Sequence, residues 1–144
     1  MTRTEIQAFF PGLPVNFGGL NFAVPTVAWL QGPCYDYFRQ RYWSLALDKW
    51  QFRWECRDFA RAFAVCAHEC HALTPGAPAE ADALAVGEFW FVPDSSVKAD
   101  SLHPVGHAIN ACLTDQGLVY LEPQTGQLWP LSQNEFLRRY FTRF

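Results

Sequence analysis

"GHAINACLTDQGLVYLEPQTG" spans residues 106–126. Two apolar runs, 107–113 and 118–122, flank Asp115-Gln116-Gly117, a turn signal, so the stretch reads as a β-hairpin. Side chains alternate along a strand, so register decides what shares a face. A two-residue turn at Asp115-Gln116 sets Leu113 opposite Leu118 and puts Glu122 and Gln124 on the face of His107. A three-residue loop, with Gly117 in the left-handed region, shifts the pairing by one. It moves Glu122 to the opposite face unless a bulge corrects it. The sequence leaves both registers open.

Around this hairpin the chain divides in two. "EFWFV" (88–92) is aromatic and β-branched, a strand, and "QLWPL" (127–131) offers another short one. Ser132 followed by Glu135 is a capping box that opens a closing helix running to the C-terminus. The earlier half is helical. Thr2 and Glu5 form a capping box for a short helix to about Phe10, stopped by Pro11-Gly12. Pro33 suits a first helical position ahead of "CYDYFRQRYWSLAL". A further helix opens near Glu55 and runs to about His71, with Phe59, Ala60, Phe63, Ala67 and Cys70 on one face. "TPGAPAEADA" (74–83) and "DSSVKADSLHPVG" (94–106) read as connections. Helices first and strands later predict an α+β fold, an antiparallel sheet with helices packed on one side. Length predicts a single domain over 1–144.

Half of the 144 residues are hydrophobic, which supplies ample core, and net charge is only -3. That balance argues against nucleic acid or an anionic membrane as partner. The start, "MTRTEIQAFFPGLP", lacks the basic and apolar stretch of a secretion signal. No apolar run approaches the roughly 20 residues that span a bilayer. Five cysteines, at 34, 56, 66, 70 and 112, read as free thiols. These features predict a cytoplasmic protein.

Cys56, in "RWECRDFARAF" (53–63), stands at the start of the long helix. Taken alone it reads as a small buried hydrophobe. Its position also suits a nucleophile, because a helix N-terminus carries about half a positive charge and unpaired N–H groups that favour a thiolate. A nucleophilic thiol needs a base, a group that orients the base, and donors for the developing oxyanion. His107 is the best base, with Gly106 leaving room for close approach. Glu122 and Gln124 are candidate orienters. Gln51, five residues before Cys56, is a candidate oxyanion donor.

In combination, "WECRDFA" and "GHAINACLTDQGLVYLEPQTG" resemble the papain-like cysteine hydrolases, and within them the transglutaminase-like and phage-associated or toxin-type members. The resemblance covers about a quarter of the chain. It implies a papain-like fold, with N-terminal helices on a small C-terminal antiparallel sheet. Cys56 would be the nucleophile, His107 the base and Glu122 the orienter. It implies a cysteine hydrolase or acyltransferase acting on an amide or peptide bond, a protein or peptide substrate, and no cofactor. Arg57 stands where such sequences often carry an acid. The alternative is a catalytically degenerate fold acting as a protein-binding or inhibitory module, for instance a phage-encoded one.

"CAHECHA" (66–72) suggests metal ligation, but a structural zinc site wants a second ligand pair at a distance. Buried thiols with exposed imidazoles at a helix end are the simpler reading, and no metal is predicted. His103 reads as a loop residue. The tryptophans at 43, 50, 54, 90 and 129 read as core and groove wall.

Overall fold

The structure is a computed structural model. It describes all residues except 75–80, 82 and 97–104. His103, read as a loop residue, lies outside the described residues, as do most of the two connections.

The first helix, α1 (Arg3–Ala8), starts on the expected capping box: the Glu5 carboxylate accepts from the Thr2 N–H at 2.6 Å, and Thr2 Oγ1 accepts from the Glu5 N–H at 3.4 Å. After β1 (Phe22–Ala23) comes a helical stretch in three parts: α2 (Val27–Trp29), a π-helical segment Leu30–Cys34, and α3 (Tyr35–Trp43). Gly32, at φ −105° and ψ −105°, kinks it ahead of Pro33, because proline offers no N–H to the preceding turn. The longest helix, α4 (Cys56–Leu73), presents Phe59, Ala60, Phe63, Cys66 and Ala67 as its buried face.

The strands β2 (Ala83–Leu84), β3 (Val86–Phe91), β4 (His107–Thr114), β5 (Gly117–Glu122) and β6 (Gln127–Leu128) follow. A short helix α5 (Gln133–Leu137) and a last strand β7 (Arg139–Arg143) complete the chain. Five of the strands form one antiparallel sheet in the order β6-β5-β4-β3-β7, and β1 pairs with β2 in parallel. Leu113 pairs with Leu118 and Thr114 with Gly117, so the hairpin takes the two-residue register. Gly117 nevertheless adopts a positive φ of 92°. The glycine conformation that threatened a shift is accommodated at the strand's first residue, and Glu122 keeps the face of His107.

Two expectations fail. The closing helix ends at Leu137, and the chain becomes an edge strand paired with β3. A capping box fixes where a helix starts, not how far it runs. Tyr140, Phe141 and Thr142 are aromatic and β-branched residues that favour a pleated partner. Two arginines at this turn are tied down: Arg138 ion-pairs with Asp94, and Arg139 donates to the carbonyls of Phe136 and Pro11.

The second failure concerns layering. The papain-like plan of helices on one side of a small sheet is not what the core shows. α3 and α4 pack one face, around Phe38, Phe63, Val86, Cys112 and Leu121. The opposite face is also covered, by α1 and the irregular strap after it. Ile6, Phe10, Val15 and Phe22 bury Phe89, Phe91, Ile109 and Leu113 there. Three prolines and three glycines in residues 11–25 made this strap look like mere connection; its scattered large apolar side chains are what cover the sheet.

Asn110 fixes the helix to the sheet. Its fully buried amide donates to the carbonyls of Ala60, at 2.8 Å, and Gly87, at 3.1 Å. One side chain thus ties α4, β3 and β4 together. Asn110→Ala should cost roughly 1–3 kcal/mol in urea unfolding, because the two carbonyls lose a buried donor.

Candidate functional site: a thiol, an imidazole and a carboxylate

The Asn110 tie one turn into α4 brings the helix N-terminus over the start of β4. There Cys56 is the first residue of α4, behind Glu55, whose backbone N–H donates to the Asp58 carboxylate at 3.0 Å. His107 is the first residue of β4. Its Nε2 lies 2.6 Å from Glu122 Oε2, and the ring also hydrogen-bonds the Cys56 side chain, which leaves Nδ1 for the sulfur. Glu122 is 8% exposed, and its second oxygen accepts from the Gln124 backbone N–H at 3.0 Å. Both carboxylate oxygens are therefore committed, and the imidazole is held on both sides.

The five thiols differ in their electrostatics. Burial pushes Cys34 and Cys112 far up, Cys66 up to about 11, and Cys70 up as well. Burial also pushes Cys56 up, but hydrogen bonds from His107 and the Ala108 N–H, the His107 charge and the Arg57 N–H outweigh it. Cys56 alone among them ends below the ordinary thiol value. His107 shows the complementary behaviour. Burial lowers its pKa, and the bonds to Cys56 and Glu122 more than reverse this, to about 9. Each partner favours the charged form of the other, the arrangement of a thiolate–imidazolium pair.

Arg57 follows Cys56 in the first turn of α4. Its guanidinium lies 3.5 Å from Glu55 and 3.9 Å from Asp58; it is its backbone N–H that serves the thiol. Gln124 likewise contributes its backbone rather than its amide. Gln51 sits in a turn closed on Trp54 by backbone bonds of 3.0 and 2.8 Å. Among the described residues no hydrogen bond ties its side chain to Cys56 or His107.

Three aromatic neighbours complete the surroundings. Trp129 and Phe91 pack against the His107 ring with centroids 5.2 and 5.8 Å away. They help to fix the plane of the imidazole. Tyr140, on β7, reaches Gly106. Trp129 was legible as groove wall, but Tyr140 was hidden by the helix expected there. A cleft of about 450 Å³ opens on the Glu122 side of the ring, lined by Ser95, Ser96, Gln124, Thr125 and Trp129. Another, of about 390 Å³, lies beside α4 between Arg61, Glu88 and Arg143, away from the thiol. Among the described residues no group of three or more His, Cys, Asp or Glu side chains could hold a metal ion. No described helix is long and apolar enough to cross a membrane.

No family model and no curated protein matches this chain. Solved structures do match over its whole length. One is the Polyporus squamosus lectin bound to the human-type influenza-binding epitope Neu5Aca2-6Galb1-4GlcNAc, at 19% identity and a TM-score of 0.71. A second is a complex of PSL1a with E-64, at 20% identity and a TM-score of 0.65. The chain spans about half of each, 49% and 51%. It shares a fold with part of a lectin chain.

These matches overturn the resemblance to papain-like cysteine hydrolases. That resemblance rested on two motifs covering a quarter of the chain, whereas the structural match covers all of it. A cysteine at a helix start beside a histidine at a strand start is a local solution to placing charge, open to more than one fold. The papain-like fold, the hydrolase or acyltransferase function on an amide or peptide bond, and the protein or peptide partner are withdrawn with it. The alternative, a binding or inhibitory module, is nearer in naming a binding function, but its protein partner has no support from lectin neighbours.

The pair's charges carry a pH dependence. The folded His107 value lies above its unfolded value near 6.5, so its stabilising effect is complete below about 6.5 and is lost as pH rises through about 9. Cys56 lies below its unfolded value, so its effect is complete above about 8.5 and is lost as pH falls through the folded value. Between pH 8.5 and 10 the His107 loss is the pair's own, and the four thiols raised by burial lose stability over the same range in wild type and variant alike. Urea midpoints should therefore fall more steeply over that range in the wild type than in His107→Gln. Glu122→Gln should weaken the hold on the imidazolium and slow Cys56 alkylation at pH 6 by about tenfold, the effect of one charged hydrogen bond.

Proposed function

We propose that Cys56, His107 and Glu122 form a reactive-thiol site, in which a Cys56 thiolate attacks an electrophilic carbon of a bound molecule. The observation that carries this reading is the imidazole bonded to the carboxylate on one side and to the thiol on the other. His107 holds the proton taken from sulfur and returns it to a departing group, and Glu122 fixes the ring. Gln124 contributes its backbone N–H to the carboxylate. Gln51, in the turn that precedes α4, stays a candidate donor to the bound molecule. Five unpaired thiols suit a reducing compartment, so a cytoplasmic location goes with this reading.

The reagent E-64 carries an epoxide. A thiolate opens an epoxide by forming a C–S bond while the ring oxygen leaves with its electron pair and takes a proton. E-64 is therefore a suitable probe for this chain. Incubated at pH 6 and digested, the protein should carry one adduct on Cys56, with the other four thiols unmodified. Adducts spread over several cysteines, or none, would defeat the reading.

A second reading is carbohydrate binding, favoured by the glycan-bound lectin that shares the fold. Exposed Trp50 and Phe52, in the turn just before α4, offer ring faces on which sugars stack. Calorimetric titration of this chain with Neu5Aca2-6Galb1-4GlcNAc tests it. Saturable heat abolished by Trp50→Ala supports it, and a flat titration removes it.

A further inference from the structure

The edge strand β7 is irregular at one place. Trp90 pairs with Phe141, but the next residue of β3, Phe91, pairs with Arg139. Tyr140 is the extra residue of a bulge. Bulges re-aim side chains and are frequent beside active sites. Here the ring packs edge-on against Trp90, with centroids 6.2 Å apart and planes at 77°. The hydroxyl thereby lies against the α-carbon of Gly106, in the space a Cβ would occupy. Gly106 immediately precedes His107, so the phenol stands at the site. The Tyr140 side chain as a whole remains half exposed, at 52%. The direction of the Tyr140 pKa agrees: burial and the Cys56 charge both raise it, which keeps the phenol protonated and able to donate.

We propose that the Tyr140 hydroxyl is a ligand-contacting donor of the thiol site, which hydrogen-bonds an acceptor oxygen on the molecule that Cys56 attacks. The bulge, the Trp90 packing and the missing side chain at Gly106 have a common result, an O–H held against the residue that precedes His107. A tyrosine serving only to cover the strand edge would need none of the three. The ligand class that follows is an electrophile with a carbonyl or similar oxygen close to the attacked carbon. This inference rests on the reactive-thiol reading.

Two alkylating probes separate the roles. Iodoacetamide carries a carbonyl next to the attacked carbon, and allyl iodide carries no acceptor. In both reactions the thiolate forms a C–S bond and iodide leaves with the electron pair of the C–I bond. Tyr140→Phe keeps the ring on Trp90 and removes only the O–H. It should slow Cys56 alkylation by iodoacetamide about tenfold, the scale of one hydrogen bond, and leave allyl iodide within about twofold. Gly106→Ala should displace the hydroxyl and reproduce the effect, and add little in the Tyr140→Phe background. Equal slowing of both probes, or no slowing of either, overturns the donor role while Cys56 reactivity in the wild type still stands. A wild-type Cys56 that reacts no faster than Cys70 overturns the reactive-thiol reading and the donor role together.

Discussion

Replacing His107 with alanine should lower the rate of Cys56 alkylation at pH 6 by roughly tenfold to a hundredfold, because a free thiol with a pKa near 8.5 is almost wholly protonated there. Two of the contributions that hold Cys56 below the ordinary value come from His107, its hydrogen bond and its charge. The backbone donors at Ala108 and Arg57 remain in the variant, as does the N-terminus of α4. The experiment thus separates the imidazole from the helix. A rate unchanged within twofold would assign the reactivity to the helix terminus alone. The variant should stay folded, since His107 lies at the end of β4 and the ladder from Phe91 back to Val86 does not depend on its ring.

Phe89→Ala should be the most damaging substitution in the core, at about 3–5 kcal/mol. Phe89 is fully buried at the centre of the face covered by α1 and its strap. Its ring centroid lies 4.8 Å from Tyr120, 5.7 Å from Phe91, 6.1 Å from Phe10 and 6.3 Å from Phe136. Those partners come from the strap, β3, β5 and α5, so the cavity left by the ring cannot close by moving one element. A domain of this size is typically stable by about 5–15 kcal/mol, so the loss is a large fraction of the whole. Thermal unfolding should shift down by about 10 °C or more. A shift of only one or two degrees would mean that the strap does not cover the sheet in solution. The same substitution discriminates the two-faced sheet from the one-sided arrangement expected of the sequence.

The hairpin was legible because its determinants are local. Asp115-Gln116-Gly117 marks a turn between strands adjacent in the chain, with two registers open to it, of which the structure takes the two-residue one. The meeting of His107 with Glu122 follows from that register by counting. The start of α4 was legible too, since the periodic face begins at Cys56 and Asp58 stands where it can cap Glu55. What escaped the sequence is non-local. Residues 139–143 become a strand only because β3 offers an open edge, and nothing within "RRYFTR" announces that edge. The strap after α1 carries Val15 and Phe22 without any period, so its role in covering Phe89 and Ile109 depends on the sheet already being there. Gln51 was read from its distance along the chain alone, and the backbone turn that closes on Trp54 was not legible there. The family assignment failed for a related reason. Two short motifs describe how a thiol meets an imidazole, and that encounter leaves the rest of the fold undetermined.

Nuclear magnetic resonance of the His107 ring nitrogens tests the central claim most directly. The account predicts an imidazolium at pH 7, protonated on both nitrogens and titrating near 9, with a pKa that falls in Cys56→Ser as the bond and charge of the thiolate are lost. A ring that titrates near 6.5 and ignores the substitution at Cys56 would contradict it.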